Sequence, residues 1–275
     1  MKYLITGGSG FLGKNLIKTL IDKGITDIRV VARNEGDLIE VKEKYNIEII
    51  TGDIADDFIC DKVCQDIDGI FHLAAYKHVG LAEENVRQCI KSNVIGTLNL
   101  LEATRKYKPQ FIIGISTDKA ARISGVYGST KFLMERLFSE YEKLNKDTKY
   151  RIVRYGNVLY STGSVLCKWK DKLINKEKIQ VTDLESTRFY WTVDKAIDLI
   201  FDCLDNAKDS NPYTCKMKAI KMEDLLNAMM EKYGKSEIEI IGLQKGENKH
   251  EIIDANGTDS SQAERYTKEE IMDMI

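Results

Sequence analysis

The stretch "LITGGSGFLG", from Leu4 to Gly13, decides the fold class of this chain. It joins a short apolar run to a helical pattern, and Gly8, Gly10 and Gly13 have the Gly-x-Gly-x-x-Gly spacing of a dinucleotide-binding loop. Glycine allows a tight turn and a close backbone approach to a pyrophosphate, while the helix N-terminus offers amide donors. We therefore expect a dinucleotide cofactor here; a turn without a ligand is the weaker alternative. The predicted contacts are Gly7, Gly8, Gly10, Phe11, Leu12 and Gly13.

Short apolar runs alternate with helical patterns along the first part of the chain. The runs are continuous, as in parallel strands that are buried on both faces. Repeated units of this kind predict an α/β fold, a Rossmann-type doubly wound parallel sheet. The predicted strands are 2–6, 28–32, 47–51, 69–73, 111–116 and 150–155, and one long helix is predicted over 85–106.

This rhythm changes after residue 156, where shorter strands and amphipathic helices follow. We expect a dinucleotide-binding Rossmann domain over 1–156 and a smaller C-terminal substrate-binding lid over 157–275. The helix at 193–207 could pack back on the first domain. Near the end of the chain, "TKEE" from Thr267 to Glu270 predicts a capping box that opens a last helix.

Composition excludes several classes of protein. A formal net charge of −2 over 275 residues argues against non-specific binding of nucleic acid. Six cysteines without paired spacing and three scattered histidines predict reduced thiols and no metal site. No apolar run approaches the ~20 residues of a membrane span, and because "MKYLIT" leads directly into the glycine loop we expect no secretory signal. We expect a cytoplasmic protein.

Tyr127 and Lys131 form a Tyr-x-x-x-Lys motif on a predicted helix, where this spacing puts both side chains on one face. A phenol with a pKa near ~10 is a poor base at neutral pH, and a neighbouring ammonium lowers that pKa. The pair can then take a proton from a hydroxyl while hydride leaves the same carbon for a nicotinamide. We predict that both residues also contact the cofactor.

Asp118 and Lys119 stand directly after the apolar run "FIIGIS". Open parallel sheets place their chemistry at such strand ends. A carboxyl that acts as an acid needs a raised pKa, and a lysine that acts as a base needs a lowered one. Burial pushes both in those directions, whereas their mutual attraction opposes it. The alternative is a structural ion pair.

The end of the second predicted strand bears on the choice of cofactor. An NAD site usually has an acidic residue there, but "VVARNE" places Arg33 at this position. A guanidinium can pair with a 2′-phosphate, which favours NADP and leaves NAD possible. Arg33 could also be an ordinary surface residue. His72, after the fourth strand, is expected to be packed rather than catalytic.

Further motifs between Thr6 and about Glu251 resemble those of the extended short-chain dehydrogenases/reductases. Within that group the chain is similar to the polysaccharide-biosynthesis type of UDP-N-acetylglucosamine 4,6-dehydratase, and ordinary epimerases of the fold lack the Asp-Lys pair. The resemblance implies C4 oxidation, loss of water across C5–C6 and return of hydride to C6, with or without C5 inversion. The motifs are "AAYKHVGLAEEN" (74–85), "STDKA" (116–120), "YGSTK" (127–131), "VRYGNV" (153–158), "TRF" (187–189) and "GENKHE" (246–251).

The same resemblance assigns roles to individual residues. Lys119 is implied as the base at C5, Asp118 as the acid at O6, and Thr117 as the holder of the substrate hydroxyl near Tyr127. Independently of the resemblance, Asp53 and Ile54 after the third strand and the small residues Ala74 and Ala75 after the fourth are expected to contact the cofactor. The resemblance adds Lys77, or else a solvated lysine, and Asn93, which could steady the catalytic helix or be an ordinary polar helix residue. Substrate contacts are implied at Lys77, Asn157, Thr182, Arg188 and Glu247, with Asp183 beside them.

The chain departs from the family pattern at Gln244 and Lys245, where relatives usually have arginine and proline. One diphosphate contact is therefore either missing or supplied by Lys245. The expected partner is a UDP-sugar, and the expected assembly is a homo-oligomer. Two other functions stay open: a UDP-sugar 4-epimerase, which would leave Lys119 without a role, and a non-catalytic NAD(P)-sensing protein.

Overall fold

The computed structural model describes all of residues 1–275, and its centre is a six-stranded parallel sheet. The strand order is β3-β2-β1-β4-β5-β6, so the order reverses between β1 and β4. This is the predicted Rossmann-type doubly wound sheet, with strand ends within about one residue of those expected. The strands are β1 Tyr3–Thr6, β2 Ile28–Ala32, β3 Glu48–Thr51, β4 Gly69–His72, β5 Phe111–Thr117 and β6 Lys149–Tyr155.

Helices cover both faces of this sheet. Neighbouring residues of a strand point to opposite faces, and Ile5 and Leu4 of β1 accordingly belong to different hydrophobic clusters. Leu16 of helix α1 packs on the first face, and Phe138 of helix α7 packs on the second. The helices are α1 Phe11–Asp22, α2 Glu35–Tyr45, α3 Asp57–Val63, α4 Val79–Glu84, α5 Val86–Ile90, α6 Gly96–Tyr107 and α7 Val126–Leu144.

The single helix predicted over 85–106 is interrupted, which corrects that expectation. A π-helical segment at 91–95 separates α5 from α6. The buried Asn93 lies in this segment, and its side-chain amide bonds the backbone of Tyr76 and the hydroxyl of Thr130. Wider turns of this kind often occur at functional sites. The apolar periodicity of the sequence could not predict the π-helical segment, because the residues that bond Asn93 lie elsewhere in the chain.

The second part of the chain forms two small sheets beside the large one. In the first, β9 lies between β10 and β7; in the second, β11 pairs with β8. The predicted capping box is confirmed at Thr267 and Glu270. The elements are β7 Asn157–Val158, α8 Val165–Ile174, β8 Ile179–Val181, β9 Thr187–Trp191, α9 Val193–Asn206, β10 Ala219–Lys221, α10 Met222–Tyr233, β11 Ile238–Ile240 and α11 Lys268–Met274.

Helix α9 lies against the large sheet. Its buried residues Ile197 and Ile200 share a hydrophobic cluster with Leu16 and Ile17 of α1. The division into a cofactor domain at 1–156 and a substrate region at 157–275 stays a prediction, since this cluster crosses the boundary. No helix combines the length and apolar character that a membrane crossing requires.

A buried ion pair ties α7 to β6. The guanidinium of Arg154 donates to both carboxylate oxygens of Glu135, at 3.0 and 2.6 Å, and to the carbonyl of Ile253 at 3.1 Å. The hydroxyl of Ser116 donates to the same carboxylate. This network therefore links helix α7, the large sheet and the segment around Ile253.

Replacing Arg154 with methionine should destabilise the fold strongly, because it leaves the carboxylate of Glu135 buried without its partner. We expect Arg154→Met to lower the free energy of unfolding by about 3–5 kcal/mol in urea titrations. Lys106→Met removes an exposed lysine that pairs with Asp61, and it should leave the urea midpoint unchanged. Equal midpoints for the wild type and Arg154→Met would contradict this account.

Candidate active site

A large cleft of about 1150 Å³ opens at the carboxyl ends of the central strands. Such crevices, at the point where the strand order reverses, are where open α/β sheets bind ligands. Four of the predicted residues do not line it: Gly8, Asn93, Asp118 and Asp183. Those that do are Gly7, Gly10, Phe11, Leu12, Gly13, Arg33, Asp53, Ile54, Ala74, Ala75, Lys77, Thr117, Lys119, Tyr127, Lys131, Asn157, Thr182, Arg188 and Glu247.

The glycine loop has the shape of a cradle for an anionic dinucleotide. Gly7 has a φ of 70°, and a Cβ there would lie 2.8 Å from the backbone of Ala74. A Cβ at Gly13 would lie 2.5 Å from the backbone of Gly8, so the helix packs directly on the turn. Gly10 caps α1 without a side chain, and the first turn has no acidic residue. The free amides and the helix dipole there suit a pyrophosphate.

The part of the cleft at the end of β2 contains Arg33, which is exposed and forms no ion pair. Asn34 and Asp37 also line the cleft. Asp53, after β3, pairs with Lys91 at 3.5 Å and accepts from the amide of Ala55. The guanidinium of Arg33 is thus available to an anionic ligand.

Thr117, Asp118 and Lys119 form one hydrogen-bonded group at the end of β5. The Thr117 hydroxyl donates to Oδ1 of Asp118 at 2.8 Å, and Nζ of Lys119 donates to the same oxygen at 3.0 Å. Asp118 is fully buried, and its other carboxylate oxygen has no partner. Thr117 and Lys119 therefore separate this carboxyl from the cleft.

The charge on Lys119 is set by two carboxylates. Its Nζ lies 3.0 Å from Asp118 and 3.6 Å from Glu251. Burial acts to lower the pKa of Lys119, but these two carboxylates outweigh it and raise that pKa above its ordinary value. The sequence predicted two opposing effects on the pKa of Lys119, burial and attraction to a carboxylate, and attraction is the larger. Lys119 is therefore an ammonium at neutral pH.

Tyr127 lies in the first turn of α7, beside the Lys119 group. Burial raises the pKa of its phenol to about 12, while Lys119 and the Thr117 hydroxyl act to lower it. Lys131 donates to the carbonyl of Ile115 at 2.7 Å, and burial lowers its pKa to about 8. The cation expected to act on the phenol was Lys131; in the structure Lys119 has that effect, because the Lys131 ammonium is directed to β5.

At the other end of the cleft, polar residues are held by backbone groups. Arg188 donates to the carbonyls of Thr187 and Lys249, both at 2.9 Å. Lys77 donates to the carbonyl of Thr162 at 2.9 Å, and burial lowers its pKa. Asn157 reaches Lys119, its Oδ1 lying 3.5 Å from Nζ.

The departures from the family pattern have different outcomes. Gln244 lines the cleft whereas Lys245 does not, so the structure does not bring Lys245 to a diphosphate. Asp183 turns away and accepts from the amide of Glu185 at 2.8 Å. Glu247 lines the cleft and accepts from the amide of Gln244.

Asn93 and His72 do not line the cleft and lie behind it. Asn93 joins the loop at Tyr76 to Thr130 of the catalytic helix, which agrees with a steadying role and gives no direct cofactor contact. His72 is buried between the hydroxyls of Thr6 and Thr97, and burial lowers its pKa to about 3. His72 is therefore packed, as expected.

Sequence reasoning missed several residues of this site. His78 and the basic residues Lys168 and Lys172 of α8 line the cleft. The four-residue spacing of the two lysines on a predicted helix could have placed them on one face. Glu251 reaches Lys119 from the far end of the chain; it closes the motif "GENKHE", but the sequence did not indicate its partner.

Fold and site together define a Rossmann-type protein of the short-chain dehydrogenase/reductase class. The family described as "Polysaccharide biosynthesis protein" matches residues 3–273, and the chain belongs to it. The resemblance seen in the sequence is thus confirmed. Enzymes of this kind are sugar-nucleotide dehydratases and epimerases.

Individual relatives include both kinds. A protein of Methanocaldococcus jannaschii described as an uncharacterized membrane protein is 36% identical, over 99% of this chain and 84% of its own. A UDP-N-acetylglucosamine 4,6-dehydratase (inverting) of Campylobacter jejuni is 32% identical, over 91% and 76%. A UDP-glucose 4-epimerase of Rickettsia bellii is 30% identical, also over 91% and 76%. The X-ray structure of Pen from Bacillus thuringiensis superposes with a TM-score of 0.94 at 29% identity, covering 100% and 96%.

The position of Arg33 predicts a cofactor preference. Arg33→Ala should weaken NADP binding about tenfold to a hundredfold and NAD binding much less, because only NADP has a 2′-phosphate for a charge-assisted contact. Titration calorimetry with each oxidised cofactor measures both affinities. Arg136→Ala, which removes an exposed arginine outside the cleft, should change neither. Equal losses for both cofactors in Arg33→Ala would make Arg33 an ordinary surface residue.

Proposed function

We propose that this protein is a UDP-N-acetylglucosamine 4,6-dehydratase that forms a UDP-4-keto-6-deoxy-N-acetylhexosamine for surface polysaccharide or glycan biosynthesis. The observation that carries the proposal is the Asp118–Lys119 pair beside Tyr127. A 4-epimerase needs a base only at the C4 hydroxyl, whereas a dehydratase also needs an acid and a base at C6 and C5.

The first step takes place at Tyr127. NADP, or NAD, bound at the glycine loop would accept hydride from C4 and return it to C6. Tyr127 takes the proton of the C4 hydroxyl, which Thr117 holds in place. Since burial keeps the pKa of the phenol near 12, Tyr127 depends on the cations in the cleft to become a base.

The second step takes place at the Lys119 group. A ketone at C4 makes the C5 proton acidic, and Lys119, which lines the cleft, takes it after its own proton has moved to Asp118. Asp118 supplies the proton with which O6 leaves as water. The Asp118 carboxyl lies behind Thr117 and Lys119, which both donate to it. Its proton would therefore reach O6 at the edge of the cleft that these two residues form.

The remaining cleft residues suit a UDP-sugar. Arg188 and Lys77 provide positive charge for the diphosphate, and a guanidinium suits phosphate oxygens because it can donate two parallel bonds. Asn157, Thr182 and Glu247 offer polar groups for the sugar and the nucleoside. The homo-oligomer and the cytoplasmic location stay predictions.

Proton NMR of the protein with UDP-N-acetylglucosamine and catalytic NADP in D₂O tests this function. We expect a 6-deoxy product with deuterium at C5, no net consumption of cofactor and, as in the inverting relative, inversion at C5. A galacto product would instead show an epimerase, and an unchanged sugar a cofactor sensor. Stoichiometric demand for reduced cofactor would also contradict the proposal.

Lys119→Met and Tyr127→Phe should block different steps. With Lys119 as the base at C5, Lys119→Met should oxidise C4 more slowly, because it also removes a cation beside Tyr127, and stopped-flow absorbance should then show reduced cofactor that accumulates and persists. Tyr127→Phe lacks the base at the C4 hydroxyl and should show no such signal. Lys106→Met, far from the cleft, serves as the control and should match the wild type. Identical traces for the two cleft variants would refute this division of roles.

A further inference from the structure

Glu251 is a buried carboxylate whose role is still unassigned. Only 1% of the residue is exposed, and its Oε1 lies 3.6 Å from Nζ of Lys119. A charged group is rarely buried this completely unless it is paired. The partner of Glu251 is the lysine that the proposed reaction uses as a base.

The position of Glu251 is fixed by its own segment. Its Oε2 accepts from the side-chain amide of Asn248 at 3.1 Å, and its backbone exchanges two hydrogen bonds with Ser260. The Asn248 amide also donates to the carbonyl of Arg122, in the segment between Lys119 and Tyr127. The carboxylate is therefore held from two sides against the segment from Lys119 to Tyr127, the catalytic turn.

Four charged groups meet at this place. Asp118 and Glu251 face Lys119, and Arg188 acts on both Lys119 and Glu251. The phenols of Tyr127 and Tyr190 are also close enough to sense the lysine charge. Burial raises the pKa of Glu251, and Lys119 opposes that rise. With both lysine and arginine protonated and both carboxyls ionised, the group has no net charge.

We propose that Glu251 is a positioning residue that holds Lys119 as an ammonium at rest, so that the Lys119–Asp118 pair retains the one proton that the elimination step uses. This role rests on the proposed function, because it concerns the elimination step. Lys119 touches the substrate, and Glu251 acts through it.

Protons and electrons balance as follows. At rest the Lys119–Asp118 pair shares one proton, held on Nζ; its transfer to Oδ1, 3.0 Å away, gives an amine and a carboxylic acid. The C5–H bond then breaks, its proton goes to Nζ, and its electron pair forms the C5=C6 bond as C6–O6 breaks. O6 leaves as water with the proton of Asp118. The pair thus ends as it began, and the negative charge of Glu251 keeps that one proton on the pair before and after the step.

The charge of Lys119 can be measured without turnover. Lys119 lines the cleft and can be acetylated by acetic anhydride. Mass spectrometry gives its labelling rate relative to the exposed lysines between pH 7 and 11, and the change in this ratio between two variants gives the shift of the Lys119 midpoint even when the midpoint lies above this range. Glu251→Gln keeps the size and hydrogen-bonding capacity of the side chain but removes its charge. We expect this variant to lower the pH midpoint of Lys119 labelling by roughly 1–3 units.

Two variants serve as controls for that shift. Glu247→Gln removes a carboxylate from the same segment that does not contact Lys119, and its Lys119 midpoint should equal that of the wild type. Glu251→Asp retains the charge and should recover part of the midpoint. Should Glu251→Gln fail to fold, the wild-type protein still decides: a Lys119 midpoint below that of the exposed lysines would overturn the proposal.

Turnover then separates this role from the proposed function. In Glu251→Gln, single-turnover absorbance should show normal C4 oxidation, while the basic limb of the pH profile for elimination moves to lower pH, so that elimination above that limb is slowed roughly tenfold or more. An unchanged Lys119 midpoint, or a basic limb that does not move, would overturn the role of Glu251. Wild-type protein that forms no 6-deoxy product would instead overturn the proposed function and the step assigned to Lys119.

Discussion

The ion pair between Lys119 and Asp118 is the interaction on which the rest of the site depends. A fully buried carboxylate is costly unless it is paired, and β5 ends where the next two residues can form that pair. The pair brings an acid and a base to one edge of the cleft, but it also keeps the lysine protonated. Chemistry at this place therefore requires a proton to move within the pair.

The glycine contacts and the Asn93 bonds join the glycine cradle to helix α7. Gly7 lies against the backbone of Ala74, so the loops after β1 and β4 touch. Asn93 then joins the loop after β4 to Thr130 of α7. A larger side chain at Gly7 would push these loops apart and would shift the cradle relative to Tyr127.

The C-terminal segment does more than cover the cleft. It contacts the catalytic turn at three points: Gly246 with Ser124, Asn248 with Arg122, and Glu251 with Lys119. The same segment supplies Gln244 and Glu247 to the cleft wall. Two residues of the cleft wall are thus on the same short segment as the carboxylate that pairs with Lys119.

The sequence by itself determined the sheet, the glycine cradle and the Tyr-x-x-x-Lys face, because each depends on neighbours within a few residues and on a fixed helical or strand period. It also placed Thr117, Asp118 and Lys119 correctly at a strand end. Only the tertiary structure decided the π-helical segment at Asn93, the direction of the Lys131 ammonium and the charge of Lys119. These depend on Tyr76, Ile115 and Glu251, which other parts of the chain bring close. Coulomb energy falls with distance in space, and spacing along the chain does not give that distance.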